Sequence, residues 1–207
     1  KHAIINTEGR KRINKIFISE MDEKSKKLVG KPKKISCDFL CVSGGWTPTV
    51  NLFSQSRGKL IYRESDATFI PHESFQEEIS IGSCNGTFEL NAILEETYNK
   101  MKIVLNEFGK EMRKTDLADL DRKKVFQDKM KHIWIVPTNI HFGKSKMFID
   151  FQNDVTAKDI KLALKEGYKS IEHIKRYTTT GMATDQGKIS NINALGIVSD
   201  LSGIPIH

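Results

Sequence analysis

The stretch "FIDFQNDVTAKDIKLALKEGYKSIEHIKRYTTTGMATDQGKISN", residues 148–191, decides the fold of the last third of the chain. Within it, "TAKDIKLALKEG" predicts a short helix. Thr156 is a favourable N-cap, Asp159 stands at the third helical position, and Gly167 is a typical C-terminal stop. The apolar residues of this helix are spaced to form one buried stripe. They are Ile160, Leu162, Ala163 and Leu164.

Two more helices are predicted around it. "SIEHIKRY" begins with Ser170 as its cap, and "SNINALGIVSDLSG" begins with Ser190. Both place their apolar residues on one face, as amphipathic helices do. The loop "TTTGMATDQGKIS", residues 178–190, joins these two helices. The last sixty or so residues are therefore predicted to form a small all-α domain.

The first third of the chain is predicted to be β-structure. "KHAIINTE" and "INKIFISEMD" alternate around "GRKR", which indicates a hairpin, and "GKLIYRES" with "ATFIPHE" indicates a second antiparallel pair. "KKISCDFLCVSGG" is a denser apolar run that ends in two glycines, which is typical of a strand buried on both faces. "EEISIGSCNG" predicts one more strand that ends in a tight turn.

A long helix is predicted from "TFELNAILEETYNKMKIVLNEFG", with Gly109 as its stop. The charged, weakly periodic residues 110–131 indicate a linker and a domain boundary. "HIWIVP" and "KMFIDF" then predict short extended segments. The order of elements favours an α/β domain followed by the small helical domain.

The composition is that of an ordinary soluble protein. Of 207 residues, 38% are hydrophobic and 29% are charged, with a net charge of +7. No apolar run reaches about 18 residues and no signal peptide is visible, so we expect a cytoplasmic protein without a membrane contact. Lysines are interleaved with acids along the whole chain, which favours a lysine-rich surface over nucleic-acid binding. Because the chain opens at Lys1 in a strand-like pattern, we expect a piece of a longer polypeptide.

The cysteines and histidines do not predict a metal site. Cys37 and Cys41 share one face of the predicted strand but stand too far apart to form a disulfide. We predict that they are buried small apolar residues, and Cys84 likewise has no predicted metal or redox role. The spacing of the histidines matches no compact zinc motif. Those considered are His132, His141 and His173.

Two stretches together carry a family resemblance. "CDFLCVSGGWTPTVNLFSQSRGKL" followed by "IGSCNGTFELNAIL" resembles the end of a two-dinucleotide-domain flavin or NAD fold. Residues 148–191 are closely similar to a segment of the alpha subunit of heterotetrameric sarcosine oxidases. The resemblance covers nearly the whole chain. It implies a partial FAD/NAD(P)-binding domain in residues 1–109, a linker and connecting strand in 110–146, and the helical domain in 147–207.

The resemblance also implies a function. Sarcosine oxidases convert sarcosine to glycine with hydrogen peroxide and formaldehyde or 5,10-methylenetetrahydrofolate. In that family NAD lies on the alpha subunit, FMN at the alpha–beta interface, FAD on the beta subunit and tetrahydrofolate in a C-terminal alpha-subunit domain. The expected partners are the beta, gamma and delta subunits. A glycine fingerprint would precede Lys1, and the folate domain would follow "GIPIH".

The segment is expected to contribute NAD binding and the FMN-side subunit interface rather than chemistry. No residue resembles a general base or nucleophile, and His72, which follows a proline in a strand-edge pattern, is predicted to lie on the surface. Two alternatives stay open. One is an alpha-type subunit of another FAD/NAD-dependent amine or opine dehydrogenase, and the other is a non-catalytic interaction module.

The first candidate site is "SGGWTP", residues 43–48. Paired glycines at the end of a buried strand let a backbone approach a ligand closely, and Trp46 offers a flat apolar wall. The alternative is a strand-to-loop turn with a core tryptophan. The resemblance implies that this stretch borders NAD. The implied contacts are Gly44, Gly45, Trp46, Val50 and Leu52.

The second candidate site is "GSCNG", residues 82–86. Related flavin folds place a Gly-Asp pair here, whereas this chain has Gly82 and Ser83. Without the acid, contact through backbone N–H groups at the helix start is the remaining prediction. Because the acid is absent, a conventional flavin is disfavoured at this position. The pattern fits a domain that binds NAD without using it in redox chemistry.

The third candidate site is the loop at residues 178–190. The helical domain resembles the [2Fe–2S] domain of bacterioferritin-associated ferredoxin. The implied ligand positions fall on Asp150, Gln152, Asp185 and Ser190. None of these side chains supplies the thiolate that such a cluster requires, so we predict no iron–sulfur cluster.

What remains in this loop indicates an anion site. Its hydroxyls, its glycines and the Lys188 cation stand beside the N-terminus of the last helix. Because the resemblance implies a nearby FMN, we predict that the loop helps to seat the FMN phosphate or its flanking backbone. The alternative is a capped turn in which the hydroxyls serve only local caps. The residues assigned to this site are Thr178, Thr179, Gly181, Thr184, Gln186, Lys188 and Ser190.

Overall fold

A computed structural model describes residues 2–22, 27–112 and 132–206 of the chain. Contacts between residues divide the chain into two compact units. The first combines residues 1–43 with 133–206, and the second spans residues 44–132. This division differs from the sequence-predicted boundaries at residues 109 and 146, which stay a prediction.

The first unit contains an antiparallel three-stranded sheet. Its strands are β1 (His2–Glu8), β2 (Lys15–Met21) and β3 (Leu28–Ser36), in the order β1-β2-β3. The β1–β2 hairpin confirms the prediction from the alternating pattern. A salt bridge of 2.6 Å between Lys15 and Glu8 joins the two strands next to their connecting turn.

The predicted buried strand in "KKISCDFLCVSGG" is wrong. Strand β3 ends at Ser36, and residues 37–50 contain no regular element. Phe39 is 80% exposed and Val42 77% exposed, because no strand among the described residues pairs with this run and covers it. The predicted burial of the cysteines fails with it, since Cys37 is only half-buried and Cys41 is exposed.

The rest of the first unit is the helical domain. Its elements are β6 (Phe148–Asp150), β7 (Val155–Thr156), α3 (Ala157–Lys165), α4 (Ile171–Thr178) and α5 (Asn191–Ser202). All three predicted helices are confirmed. The Asp159 carboxylate accepts hydrogen bonds from the N–H and the hydroxyl of Thr156, at 2.8 and 2.7 Å, and thereby starts α3. The core consists of buried apolar residues from these elements: Ile149, Ala157, Ile160, Ala163, Ile174, Ala194, Ile197 and Val198.

Trp134 closes one side of this core. A Cβ atom placed on Gly196 of α5 would lie 2.0 Å from the Trp134 ring, so the ring rests directly on the helix backbone. "HIWIVP" contains no helix or strand, and the short extended segment predicted there stays a prediction.

The second unit is a hairpin, a short turn and a long helix. Its elements are α1 (Asn51–Gln55), β4 (Lys59–Arg63), β5 (Thr68–Glu73), a 3₁₀ turn (Gly82–Asn85) and α2 (Leu90–Glu107). The β4–β5 pair, helix α2 and the exposed position of His72 confirm the predictions. The strand predicted in "EEISIGSCNG" is wrong, since the stretch is irregular and ends in the 3₁₀ turn. Most of the predicted linker lies outside the described residues.

Across the described ranges, no helix has the length and apolar character needed to cross a lipid bilayer.

Replacing Gly196 with alanine tests the contact between Trp134 and α5. The new methyl group has no room beneath the ring, so we expect thermal unfolding to begin several degrees lower, for a loss of about 1–3 kcal/mol. Gly143→Ala is the matched control, because its Cβ would meet only the His141 ring at an ordinary 3.4 Å. Equal midpoints for the two variants would contradict the packing.

Candidate functional site: the loop between α4 and α5

The turn after β6 and the loop at residues 178–190 are joined by the Asp150 carboxylate. Asp150 is only 3% exposed. One oxygen accepts the N–H groups of Gln152 and Asn153 at 2.9 and 3.1 Å, and the other accepts the N–H of Gly181 at 2.8 Å. A single side chain therefore shapes its own turn and fixes the start of a loop about thirty residues later.

The ionised form of Asp150 is the one this environment favours. Burial alone would raise the pKa of the carboxyl group, but the N–H groups of Gly181, Asn153 and Gln152 outweigh it and hold the pKa below its usual value. At neutral pH the group is a fixed negative charge inside a cradle of backbone donors.

Further bonds tie the same turn to the loop. The Gln152 amide oxygen accepts from the Thr184 hydroxyl at 3.0 Å, and the Asn153 amide donates to the Thr179 carbonyl at 2.9 Å. Within the loop, the Asp185 carboxylate accepts the N–H of Gly187 at 3.2 Å. With the Asp150 bond, side-chain groups thus hold the loop at Thr179, Gly181, Thr184 and Gly187.

Two glycines let the loop close against α5. Gly181 and Gly187 have φ angles of +68° and +73°, which side chains rarely adopt. A Cβ at either position would lie 2.2 Å from the Asn191 amide oxygen. The Asn191 side chain therefore fills the space that the two missing side chains leave.

The loop hydroxyls are mostly engaged locally. Thr178 donates to the Ile174 carbonyl at 2.7 Å, and Thr179, at a positive φ of 62°, donates to the Thr178 carbonyl at 2.6 Å. Ser190 stands at the predicted cap position of α5, yet its buried hydroxyl has no hydrogen-bond partner among the described residues. The helix start is confirmed, but this hydroxyl does not cap it.

Lys188 and Gln186 lie on the outside of the loop. Both are exposed; the Gln186 amide donates to the Ala183 carbonyl at 2.9 Å, and the Lys188 ammonium has no partner in the part of the chain that the structure describes. The loop therefore offers solvent one unpaired cation.

The four positions implied for cluster ligands do not fit an iron–sulfur cluster. Asp150 and Gln152 direct their oxygens at donors of this chain, and so does Asp185. None is a thiolate, which is the donor such clusters require. Within the described ranges, no group of three or more histidine, cysteine or acidic side chains is arranged to hold a metal ion.

The predicted NAD contacts lie in the second unit, in irregular chain and at the start of α1. Trp46 is 75% exposed and Leu52 79% exposed, while Val50 stands at the N-cap of α1. The alternative of a core tryptophan is therefore wrong. Helix α1 is anchored instead by Phe53, whose ring lies directly over Gly58.

The predicted backbone donor at Gly82 is used inside the chain. Its N–H donates to the Glu96 carboxylate at 3.1 Å, and the same carboxylate accepts from Asn85 at 2.6 Å and pairs with Lys100 at 3.0 Å. Burial would raise the pKa of Glu96, but these donors together hold it below its usual value. Sequence reasoning missed Glu96, although an acid on the helix after a glycine-rich turn was the available signal.

Comparisons with known proteins match this arrangement to one family. Residues 144–207 match the sarcosine oxidase A3 domain. The chain is 34% identical over 175 residues to sarcosine oxidase subunit alpha of Rhizobium meliloti (strain 1021), covering 84% of this chain and 17% of that one. Most of the chain is thus similar to sarcosine oxidase alpha subunits.

Another sarcosine oxidase subunit alpha, from Corynebacterium sp. (strain P-1), is 28% identical over 208 residues, covering 98% of this chain and 21% of that one. The chain thus spans about a fifth of the length of these relatives. The sequence-based family resemblance is confirmed.

The fold also resembles a solved structure. L-proline dehydrogenase from P. horikoshii superposes with a TM-score of 0.63 at 18% identity, over 98% of this chain and 40% of that one. At this identity the likeness shows a shared mixed α/β fold alone. The two-dinucleotide-domain arrangement stays a prediction.

Replacing Asp150 with asparagine tests whether the Asp150 carboxylate stabilises the helical domain. The amide oxygen accepts fewer N–H groups and carries no charge, so we expect a loss of about 1–3 kcal/mol at neutral pH. Because the folded-state pKa is lowered, the wild-type advantage is present above the unfolded-state pKa of about 4 and disappears as pH falls through the folded value.

The measurement is the unfolding free energy of both proteins from pH 7 down to pH 2. The control is Asp154→Asn, an exposed acid four residues away. A constant difference between wild type and Asp150→Asn across this range would contradict the charge-assisted role.

Proposed function

We propose that this chain is a segment of the alpha subunit of a multi-subunit oxidoreductase that demethylates sarcosine to glycine. The observation that carries the proposal is the 34% identity to a sarcosine oxidase subunit alpha, together with the A3-domain match at residues 144–207. The proposed products are glycine, hydrogen peroxide and either formaldehyde or 5,10-methylenetetrahydrofolate. The proposed partners are the beta, gamma and delta subunits of a cytoplasmic enzyme.

The role of this segment is binding and assembly rather than bond chemistry. The proposal places FAD on the beta subunit and tetrahydrofolate in a further alpha-subunit domain. Two acids of this segment with lowered pKa values, Asp150 and Glu96, accept hydrogen bonds from backbone donors of the chain itself. A carboxylate held below its usual pKa by such donors is a poor proton acceptor.

NAD is proposed to lie against residues 44–52 of the second unit. Gly45 has a φ of +101°, and a Cβ on Gly44 would meet no atom within 4 Å, so the backbone is open on this side. The exposed ring of Trp46 supplies a flat surface for a nucleotide base. Because Glu96 uses the Gly82 N–H, the proposal rests on residues 44–52 more than on Gly82 and Ser83.

The helical domain is proposed to form the FMN-side subunit interface. Gly181 and Gly187 direct their N–H groups at Asp150 and Asp185, so the contribution of the loop to an FMN phosphate falls to Lys188 and its neighbouring hydroxyls. Bound FMN would accept electrons from the amine-oxidising centre and pass them to oxygen.

Trp46→Ala tests the NAD site. Removing the indole ring of Trp46 should weaken NAD binding by about 1 kcal/mol, or roughly fivefold. NAD content of the complete purified subunit, released by acid and assayed enzymatically, is the measurement. Phe75→Ala is the control, because Phe75 is another exposed aromatic residue of the same unit, at 56%. Equal NAD retention in the two variants would count against the site.

Lys188→Ala tests the FMN contact in the assembled complex. A lost charge-assisted contact to phosphate should lower FMN affinity about tenfold and slow electron transfer to oxygen. Flavin content and single-turnover reoxidation are the measurements, and Thr184→Ala is the companion variant. Lys169→Ala, an exposed lysine in the same domain, is the control. Unchanged flavin content in both loop variants would contradict the proposed contact between the loop and the FMN phosphate.

A further inference from the structure

A small cavity lies in the helical domain between α4 and α5, against Ile160 of α3. Its volume is about 100 Å³. Its most deeply buried lining residues are apolar, because Ile160 and Ile174 are fully buried and Ala194 is 3% exposed. All three helices therefore contribute apolar side chains to one enclosed space.

The helical repeat explains why these residues face one another. Helix α4 lines the cavity with Ile171, Ile174 and Lys175, which lie three and four residues apart and so share one face of the helix. Helix α5 places Ala194 on the opposite side. Because the side chain of Ala194 is a single methyl group, it leaves the space next to Ile174 unfilled.

Three polar side chains line the same cavity without a partner. They belong to Glu172, Lys175 and Asn191, and none of them forms a hydrogen bond or ion pair within residues 2–22, 27–112 and 132–206. Lys175 and Asn191 are half-buried, and Glu172 is exposed. The Thr180 hydroxyl, by contrast, is bonded to that of Thr178 at 2.7 Å.

The two charges at the cavity have opposite signs but do not neutralise each other. Glu172 and Lys175 are three residues apart on α4, a spacing at which opposite charges often pair. Their charged groups nevertheless form no ion pair in the described part of the chain. Both a carboxylate and an ammonium are therefore available to a ligand in the cavity.

The volume limits the apolar part of such a ligand. A dry cavity of about 150 Å³ lined by apolar side chains holds benzene, which has six carbons. In proportion, the present cavity accommodates an aliphatic group of about four carbons. The isobutyl side chain of leucine has this size.

We infer that this cavity binds a free aliphatic amino acid of the size of leucine. Its side chain lies among Ile160, Ile174 and Ala194, its carboxylate faces Lys175 and the Asn191 amide, and its ammonium faces Glu172. The inference goes beyond the proposed function, because none of the cavity residues is among the proposed NAD or FMN contacts.

A ligand series measured by isothermal titration calorimetry on the complete alpha-type subunit tests the size and the two charges. Each buried CH₂ group changes affinity about fourfold, so valine should bind about fourfold more weakly than leucine and glycine more than a hundredfold more weakly. Phenylalanine exceeds the volume and should also bind more weakly. Leucine analogues that lack one charge, 4-methylpentanoate and 3-methylbutylamine, should each lose about fivefold or more.

Two variants on α4 assign the charges to their residues. Lys175→Met should weaken leucine binding about tenfold while leaving 3-methylbutylamine unaffected, since the amine has no carboxylate. Glu172→Gln should weaken leucine but not 4-methylpentanoate. Arg176→Met is the matched control, because it removes the same charge from the neighbouring exposed residue, which does not line the cavity. Thermal unfolding without ligand checks that every variant is folded.

Each outcome decides the inference. Leucine binding that Lys175→Met weakens and Arg176→Met does not, with the size order leucine, valine, glycine, supports it. Absence of leucine binding to the folded wild-type subunit at millimolar concentrations overturns it. Equal leucine affinity in Lys175→Met and Arg176→Met overturns it as well, and so does glycine binding as tightly as leucine.

Discussion

The structure of the helical domain depends on one buried charge, the carboxylate of Asp150. It accepts three backbone N–H groups, one of them from Gly181 at 2.8 Å. Hydrogen bonds to an ionised acceptor contribute about 1.5–3 kcal/mol each, so this residue outweighs any single exposed ion pair of the chain. Because Gly181 is held in place, Asn191 can fill the space that it shares with Gly187, and α5 starts where the loop ends.

Asp150 and Gln152 tie the turn after β6 to the loop at residues 178–190 through accepted hydrogen bonds. The Asp150 link depends on protonation, because the ionised carboxylate is the form that the surrounding N–H groups favour, and they hold its pKa below the usual value. The stability of the helical domain is therefore expected to fall at low pH.

The elements that the sequence predicted well are those fixed by neighbouring residues. The Thr156–Asp159 pair starts α3 within one turn, so its signal is local. The predicted strand around Cys41 failed because burial depends on what other segments cover an apolar run, and none in the described ranges does so. Glu96 was missed for the same reason, since its donor Gly82 lies fourteen residues earlier and only the fold brings them together.

Asp150 and Glu96 follow the same physical rule in separate units of the chain. In each case an internal carboxylate accepts the backbone N–H of a glycine, Gly181 or Gly82. Both carboxylates have lowered pKa values, so neither gives up its donor readily near neutral pH. These two backbone amides are therefore occupied by the chain itself. The exposed ammonium of Lys188 has no partner among the described residues, so an anion that approached this loop would meet Lys188 rather than the Gly181 amide.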